Sequence, residues 1–131
     1  AHHPTEVAAT IAAARTTGAG RVVAWFQPHL FSRTAELSRR FGAALAAADL
    51  VVVSGIYPAR ERAADFPGVS GLQIAEAAVD AGAPAVAWLP ALDDARRFLD
   101  ERVGNGDLVL AMGAGDIDGA ARALLGGAAD R

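Results

Sequence analysis

The sequence predicts an α/β domain, a Rossmann-like three-layer sandwich built on a mostly parallel sheet. Two observations lead there. Short runs of β-branched and aromatic residues recur along the 131 residues, and each is separated from the next by a segment with helical spacing of apolar positions. Strands alternating with helices in this way require right-handed crossovers, which put helices on both faces of the sheet. The apolar fraction of 53% is enough for one domain to bury a core of this kind.

The chain opens AHHPTEV. Pro4 suits the first position of a helix, where a missing N–H is no loss, and Glu6 suits the positive end of the dipole. Val7, Ile11 and Ala14 fall on one face of that helix, and Gly18 and Gly20 stop it. RVVAWF (21–26) reads as a first strand buried on both sides. Leu37, Phe41, Ala44, Leu45 and Ala48 then mark an apolar stripe, so a second helix is expected over 34–48.

DLVVVSGI (49–56) is the expected second strand. A loop rich in Pro, Gly and charge follows from Tyr57 to Gly71, leading to a third helix near 71–81 with Leu72, Ala75, Ala78 and Val79 on one side. PAVAWL (84–89) reads as the third strand. Leu92, Ala95, Leu99 and Val103 define a fourth helix that Asn105-Gly106 ends, and DLVLAM (107–112) is the fourth strand. A last helix is expected over 117–125.

Composition narrows the function. A net charge of −3 with scattered arginines opposes a nucleic-acid or anionic-membrane surface, which needs concentrated positive charge. The chain has no cysteine, so it forms neither disulfides nor thiolate metal sites, which accords with a cytoplasmic protein. ALAAADLVVV (44–53), the most apolar stretch, falls short of the roughly 20 residues that span a bilayer. All 12 basic residues are arginines, so no P-loop lysine, Schiff-base lysine or lysine general base exists here.

In such a sheet ligands bind beyond the carboxyl ends of the strands, which directs attention to three loops. QPHLFSRT (27–34) offers His29 and, at a helix start, Arg33, whose guanidinium fork beside helix amides suits a carboxylate or phosphate. The same residues also fit a plainer role, with Ser32 or Thr34 capping the helix and Arg33 solvated. YPARERAADFPGVSG (57–71) presents Tyr57 and Arg60 as pocket groups, or else a solvated charged loop. GAGDIDG (113–119) opens a helix after a strand, but its G-x-G-x-x-x-G spacing departs from the dinucleotide fingerprint; Gly113 and Gly115 read as positions of close backbone approach. A metal site is not expected, because the adjacent His2 and His3 do not readily ligate one ion.

Taken in order, AHHPTEV, VVAWFQPHLFSRT, IYPARE, PGVSG and GDLVLAMGAGDI resemble the C-terminal domain of the Mur ligase family, and within it the branch that joins L-alanine to UDP-N-acetylmuramate in peptidoglycan synthesis. The likeness runs nearly end to end, and AHHPTE with FQPHxxSRT at this separation is its specific part. In that family the histidine pair follows Asp-Asp-Tyr-(Gly/Ala) at the junction of the central and C-terminal domains. The resemblance therefore implies an excised third domain, inactive alone, whose missing partners bind the UDP-sugar and, through a P-loop lysine, ATP with magnesium.

The implied chemistry is phosphorylation of the lactyl carboxylate by ATP, then attack of the neutral amine of L-alanine on the acyl phosphate. By resemblance, Arg33 grips the alanine carboxylate with His29 beside it, His2 faces the reacting centre, and His3 supports its loop. Tyr57, the position two after it and Arg60 lie on a loop that recognises the added amino acid in sister ligases, and Gly113 and Gly115 line the same pocket. Leu30 stands where many members have arginine and others an uncharged residue. Two alternatives remain open: the recycling ligase that attaches a preformed tripeptide, which differs in the loop after the first strand, and a free-standing module that binds a small anion.

Overall fold

The computed structural model describes residues 3–113 and 115–129, with side chains described as far as residue 123. The elements run α1 (Pro4–Arg15), β1 (Arg21–Gln27), α2 (Phe31–Leu45), β2 (Leu50–Val53), a single 3₁₀ turn (Ala63–Asp65), α3 (Leu72–Asp80), β3 (Val86–Trp88), α4 (Leu92–Arg102), β4 (Asp107–Gly113) and α5 (Ile117–Ala129). The strands form one sheet in the order β3-β2-β1-β4, and every pairing is parallel.

β1 sits inside the sheet and is buried on both faces. Val22, Ala24 and Phe26 point to one side and join Val51 and Val53 against Val7 and Ile11 of α1, Phe41 and Leu45 of α2, and Ile74 of α3. Val23 and Trp25 point to the other and join Leu50 and Val52 against Ala95 and Leu99 of α4 and Ile117 of α5. A parallel strand covered on both sides has no use for polar alternation, which is why it reads as a continuous apolar run. The Trp25 indole N–H, which would be costly to bury unpaired, donates to the buried Ser54 hydroxyl at 2.9 Å.

Local signals place most boundaries. Pro4 is the first residue of α1, and His3 caps it, its Nδ1 accepting from the Thr5 N–H at 3.2 Å. Arg15, at the other end of α1, donates to Asp49 Oδ2 at 2.9 Å beside the start of β2. Thus α1 runs antiparallel to the strands, and its His3 end lies on the side of their carboxyl ends. Its 12 residues span about 18 Å.

Several expected boundaries differ, among them the end of the last helix, which runs to Ala129. β2 is shorter than 49–56 and β3 shorter than 84–89, because the pairing that defines them stops at Val53 and Trp88. The second helix starts at Phe31, not Thr34, and ends at Leu45. Leu30 turns the chain with φ 70° and ψ 135°, and its carbonyl accepts both the Thr34 N–H at 3.2 Å and the Thr34 hydroxyl at 2.9 Å. Thr34 therefore lies in the helix and braces its entry from inside.

The order of connection positions the site. From β1 the chain steps outward through β2 to β3, then returns across the sheet to put β4 on the other side of β1. The helices that follow β1 and β4 lie on opposite faces of the sheet, α2 on the Val22 side and α5 on the Val23 side, which opens a crevice at the carboxyl ends of these two strands, where ligands bind in sheets of this type.

Gly42 shows how tightly α2 lies on α3: a Cβ there would fall on the Ala77 Cβ and on backbone atoms of Ala77 and Ala78. Helix propensity alone would favour alanine by about 1 kcal/mol. Overpacking costs about 1–3 kcal/mol, so the contact decides the sign. Gly42→Ala is expected to lower the urea-unfolding free energy by up to about 2 kcal/mol, and a gain would show that α2 can slide away from α3.

Candidate functional site

The crevice is built from the ends of β1 and β4. Gln27 closes β1, and its buried side-chain Oε1 accepts the Ile117 N–H of α5 at 3.1 Å, tying the turn after β4 to β1. Gly113 has φ 139°, and a Cβ there would strike the Gln27 carbonyl oxygen. Gly115 has φ 89°, and a Cβ there would lie 2.5 Å from the Tyr57 ring. Both positions need glycine for its conformation and for its missing side chain.

Tyr57 comes from the loop after β2, and main-chain bonds hold it. Its N–H donates to the Pro28 carbonyl at 2.8 Å, and its carbonyl accepts the Leu30 N–H at 2.9 Å, forming a parallel bridge with His29. The His29 and Tyr57 rings stack at 6.0 Å between centroids with 17° between planes. His29, Tyr57, Gly113 and Gly115 thus form one wall, with Tyr57 between the histidine and the glycine turn.

Arg33 and Arg60 belong to the neighbouring rim. Arg33 is half-buried in the first turn of α2, and Arg60 is exposed in the loop that carries Tyr57. The two segments meet at Glu61, whose carboxylate accepts the Ser32 N–H at 3.0 Å and the Ser32 hydroxyl through its second oxygen. The Ser32 hydroxyl, followed by the backbone amides of Ser32 and Phe31 and the nearby His29, holds the Glu61 carboxyl below its usual range against the opposing effect of desolvation. Five residues on, the Phe66 ring stacks on Phe31 at 5.9 Å.

A distant residue therefore replaces the expected local cap. Neither Ser32 nor Thr34 precedes the helix; Leu30 occupies the N-cap position without a side-chain bond, and Glu61 supplies the acceptor from another loop. Gln27 and Glu61 are the two residues that sequence reasoning misses. Their signals are faint: a polar residue ending an apolar strand, and an apolar residue at a helix start that needs an acceptor.

His2, expected to face the reacting centre, lies outside the described residues. His3 caps α1 as a supporting residue. Among the described residues no group of three or more His, Asp or Glu is placed to hold a metal ion, and no helix is long and apolar enough to cross a membrane. These residues do not fit a magnesium site.

Residues 1–115 match the family model described as Mur ligase, glutamate ligase domain. The chain is 52% identical over 118 residues to the UDP-N-acetylmuramate–L-alanine ligase of Chlorobaculum parvum, covering 89% of this chain and 25% of that protein. It is 51% identical over 119 residues to the protein of the same name from Cutibacterium acnes, with the same coverage of 89% and 25%. The chain thus spans about a quarter of the length of the curated relatives it matches. The crystal structure of a murein peptide ligase from Psychrobacter arcticus shares the fold with a TM-score of 0.74 at 20% identity, over 97% of this chain and 26% of that one.

The packing of Tyr57 against the glycine turn is open to a direct check. Gly115→Ala would place a methyl group against the ring at a backbone angle that favours glycine. Tyr57 is expected to move off His29, shifting the ring proton signals of both while the fold persists. Tyr57 is the sole tyrosine, so its signals are unambiguous, and unchanged shifts would show that the turn absorbs the methyl group.

Proposed function

We infer the function from one premise: the chain belongs to the Mur ligase family, as its glutamate ligase domain. We propose that it is the C-terminal, amino-acid-binding domain of a longer cytoplasmic ligase that joins L-alanine to UDP-N-acetylmuramate at the expense of ATP. The observation that carries the choice of L-alanine is the 52% identity to a ligase of that name, sustained over 89% of this chain.

In this reading the nucleotide is gripped mainly by another part of the longer chain. This chain has no lysine for a phosphate loop, so ATP with its metal ion, and the UDP-sugar, fall mainly to the rest of the longer chain. The domain's own task is to deliver an amino acid. Arg33, in the first turn of α2, offers a planar pair of donors that suits a carboxylate.

With the carboxylate held there, the neutral amine is directed toward the acyl phosphate that the other domains hold. His29 and Tyr57 form the adjacent wall, Gly113 and Gly115 let the backbone approach closely, and Arg60 stands at the rim. To His2 we assign the stabilisation of charge as the amine attacks. The gain is chiefly one of position: a bimolecular encounter becomes an oriented one, in a site that closure shields from water.

The test uses the complete ligase chain with ATP, magnesium and UDP-N-acetylmuramate, following phosphate release with and without L-alanine. Release should depend on L-alanine. A charge-assisted contact is worth about 1.5–3 kcal/mol, so Arg33→Ala should raise KM for L-alanine roughly tenfold to a hundredfold. An unchanged KM would remove Arg33 from the pocket, and release indifferent to L-alanine would overturn the assignment.

A further inference from the structure

We propose that Glu61 is a positioning residue for the amino-acid site: its carboxylate clasps the first turn of α2 and so sets the loop bearing Tyr57 and Arg60 at a fixed distance from Arg33. This rests on the ligase reading above and adds to it a residue that carries no substrate contact of its own.

The clasp is double. One oxygen of Glu61 accepts the Ser32 N–H at 3.0 Å and the other accepts the Ser32 hydroxyl, so both oxygens are engaged by one residue. Such a two-point contact fixes orientation as well as distance, which a single exposed ion pair does not. Ser32 immediately precedes Arg33, and Arg60 immediately precedes Glu61. The two arginines are thereby joined through a contact one residue from each.

The loop is shaped to make this contact. Ala59 adopts φ 53°, a left-handed turn that a non-glycine residue enters at a cost, and the Glu61 N–H donates to the Pro58 carbonyl at 2.9 Å. That turn folds Glu61 back onto α2 and leaves Arg60 exposed. Without the clasp, the segment between the Tyr57 bridge and the Phe66–Phe31 stack would lose its two-point tie to α2, and the turn at Ala59 could relax.

Glu61 also fills a place that would otherwise compete for substrate. The free amides at a helix start attract anions, and here a carboxylate of the chain already accepts from them. The carboxylate of an incoming amino acid is then left to Arg33, one residue further along, which fixes where its amine points.

The experiment measures phosphate release by the complete chain, varying L-alanine, ATP and UDP-N-acetylmuramate in turn, for wild type, Glu61→Ala, Glu61→Gln, Ser32→Ala and the double variant Ser32→Ala with Glu61→Ala. Glu61→Ala should raise KM for L-alanine at least about tenfold and leave the KM for ATP and the thermal midpoint unchanged. Glu61→Gln keeps an acceptor for the Ser32 N–H and should recover KM to within about threefold of wild type. Ser32→Ala should reproduce part of the Glu61→Ala effect, and the double variant should be no worse than Glu61→Ala alone, because both remove one contact.

An unchanged KM for L-alanine in Glu61→Ala, or an equal loss in every parameter together with a lowered thermal midpoint, would overturn the positioning role. The wild type separates this from failure of the ligase reading. If its release depends on L-alanine, only the role of Glu61 is at stake; if it does not, the ligase reading falls and the positioning role falls with it.

Discussion

The way the chain leaves β1 governs everything at the functional end of the molecule. Within the sheet, β1 pairs with β2 as far as Phe26 and Val53; beyond it, pairing resumes at His29 and Tyr57. The β2 side therefore carries one more residue than the β1 side across this gap. Because side chains alternate along a strand, one added residue changes which face the next side chain takes. Tyr57 is thereby brought beside His29 and over the turn at Gly115, and the two main-chain bonds to Pro28 and Leu30 keep it there.

The same exit explains the strain at Leu30. A residue with φ 70° is disfavoured unless its surroundings over-determine it, and here its N–H is held by Tyr57 and its carbonyl by two groups of Thr34. The bend lets α2 begin at Phe31, directly against the sheet end. Had the chain taken a relaxed path to a helix starting at Thr34, Arg33 would precede the helix instead of lying in its first turn.

Carboxylates secure the edges of this framework in a common manner. Asp49 accepts the Val22 N–H and pairs with Arg15; Asp107 pairs with Arg21 and accepts the Gly104 N–H; Glu61 accepts from Ser32. Each is held below the ordinary carboxylate range chiefly by a hydrogen bond: from the Val22 amide at Asp49, from the Arg21 side chain at Asp107 and from the Ser32 hydroxyl at Glu61. Solvent screens contacts this near the surface, so their value lies less in total stability than in fixing where loops sit. The apolar layers hold the domain together, and the carboxylates determine the shape of its ends.

This division explains what the sequence makes legible. Periodicity reports burial, so the two faces of β1, the Val7-Ile11-Ala14 stripe and the Ala95-Leu99 contact are written in the apolar pattern itself. The helix start at Phe31 is not, because its acceptor comes from Glu61, 29 residues distant from Ser32, and local capping patterns carry no information about such a partner. His29 and Tyr57 stand out by their place after strands, yet their stacking depends on the extra residue before Tyr57, which no pattern in the sequence marks. Core elements answer to solvent, which every segment senses locally, whereas a site is assembled from loop ends whose relative placement is a property of the whole sheet. The rim proposed to hold an amino acid thus lies at one end of the sheet, and the chemistry proposed for it waits on a second surface to close over Arg33, His29 and Tyr57.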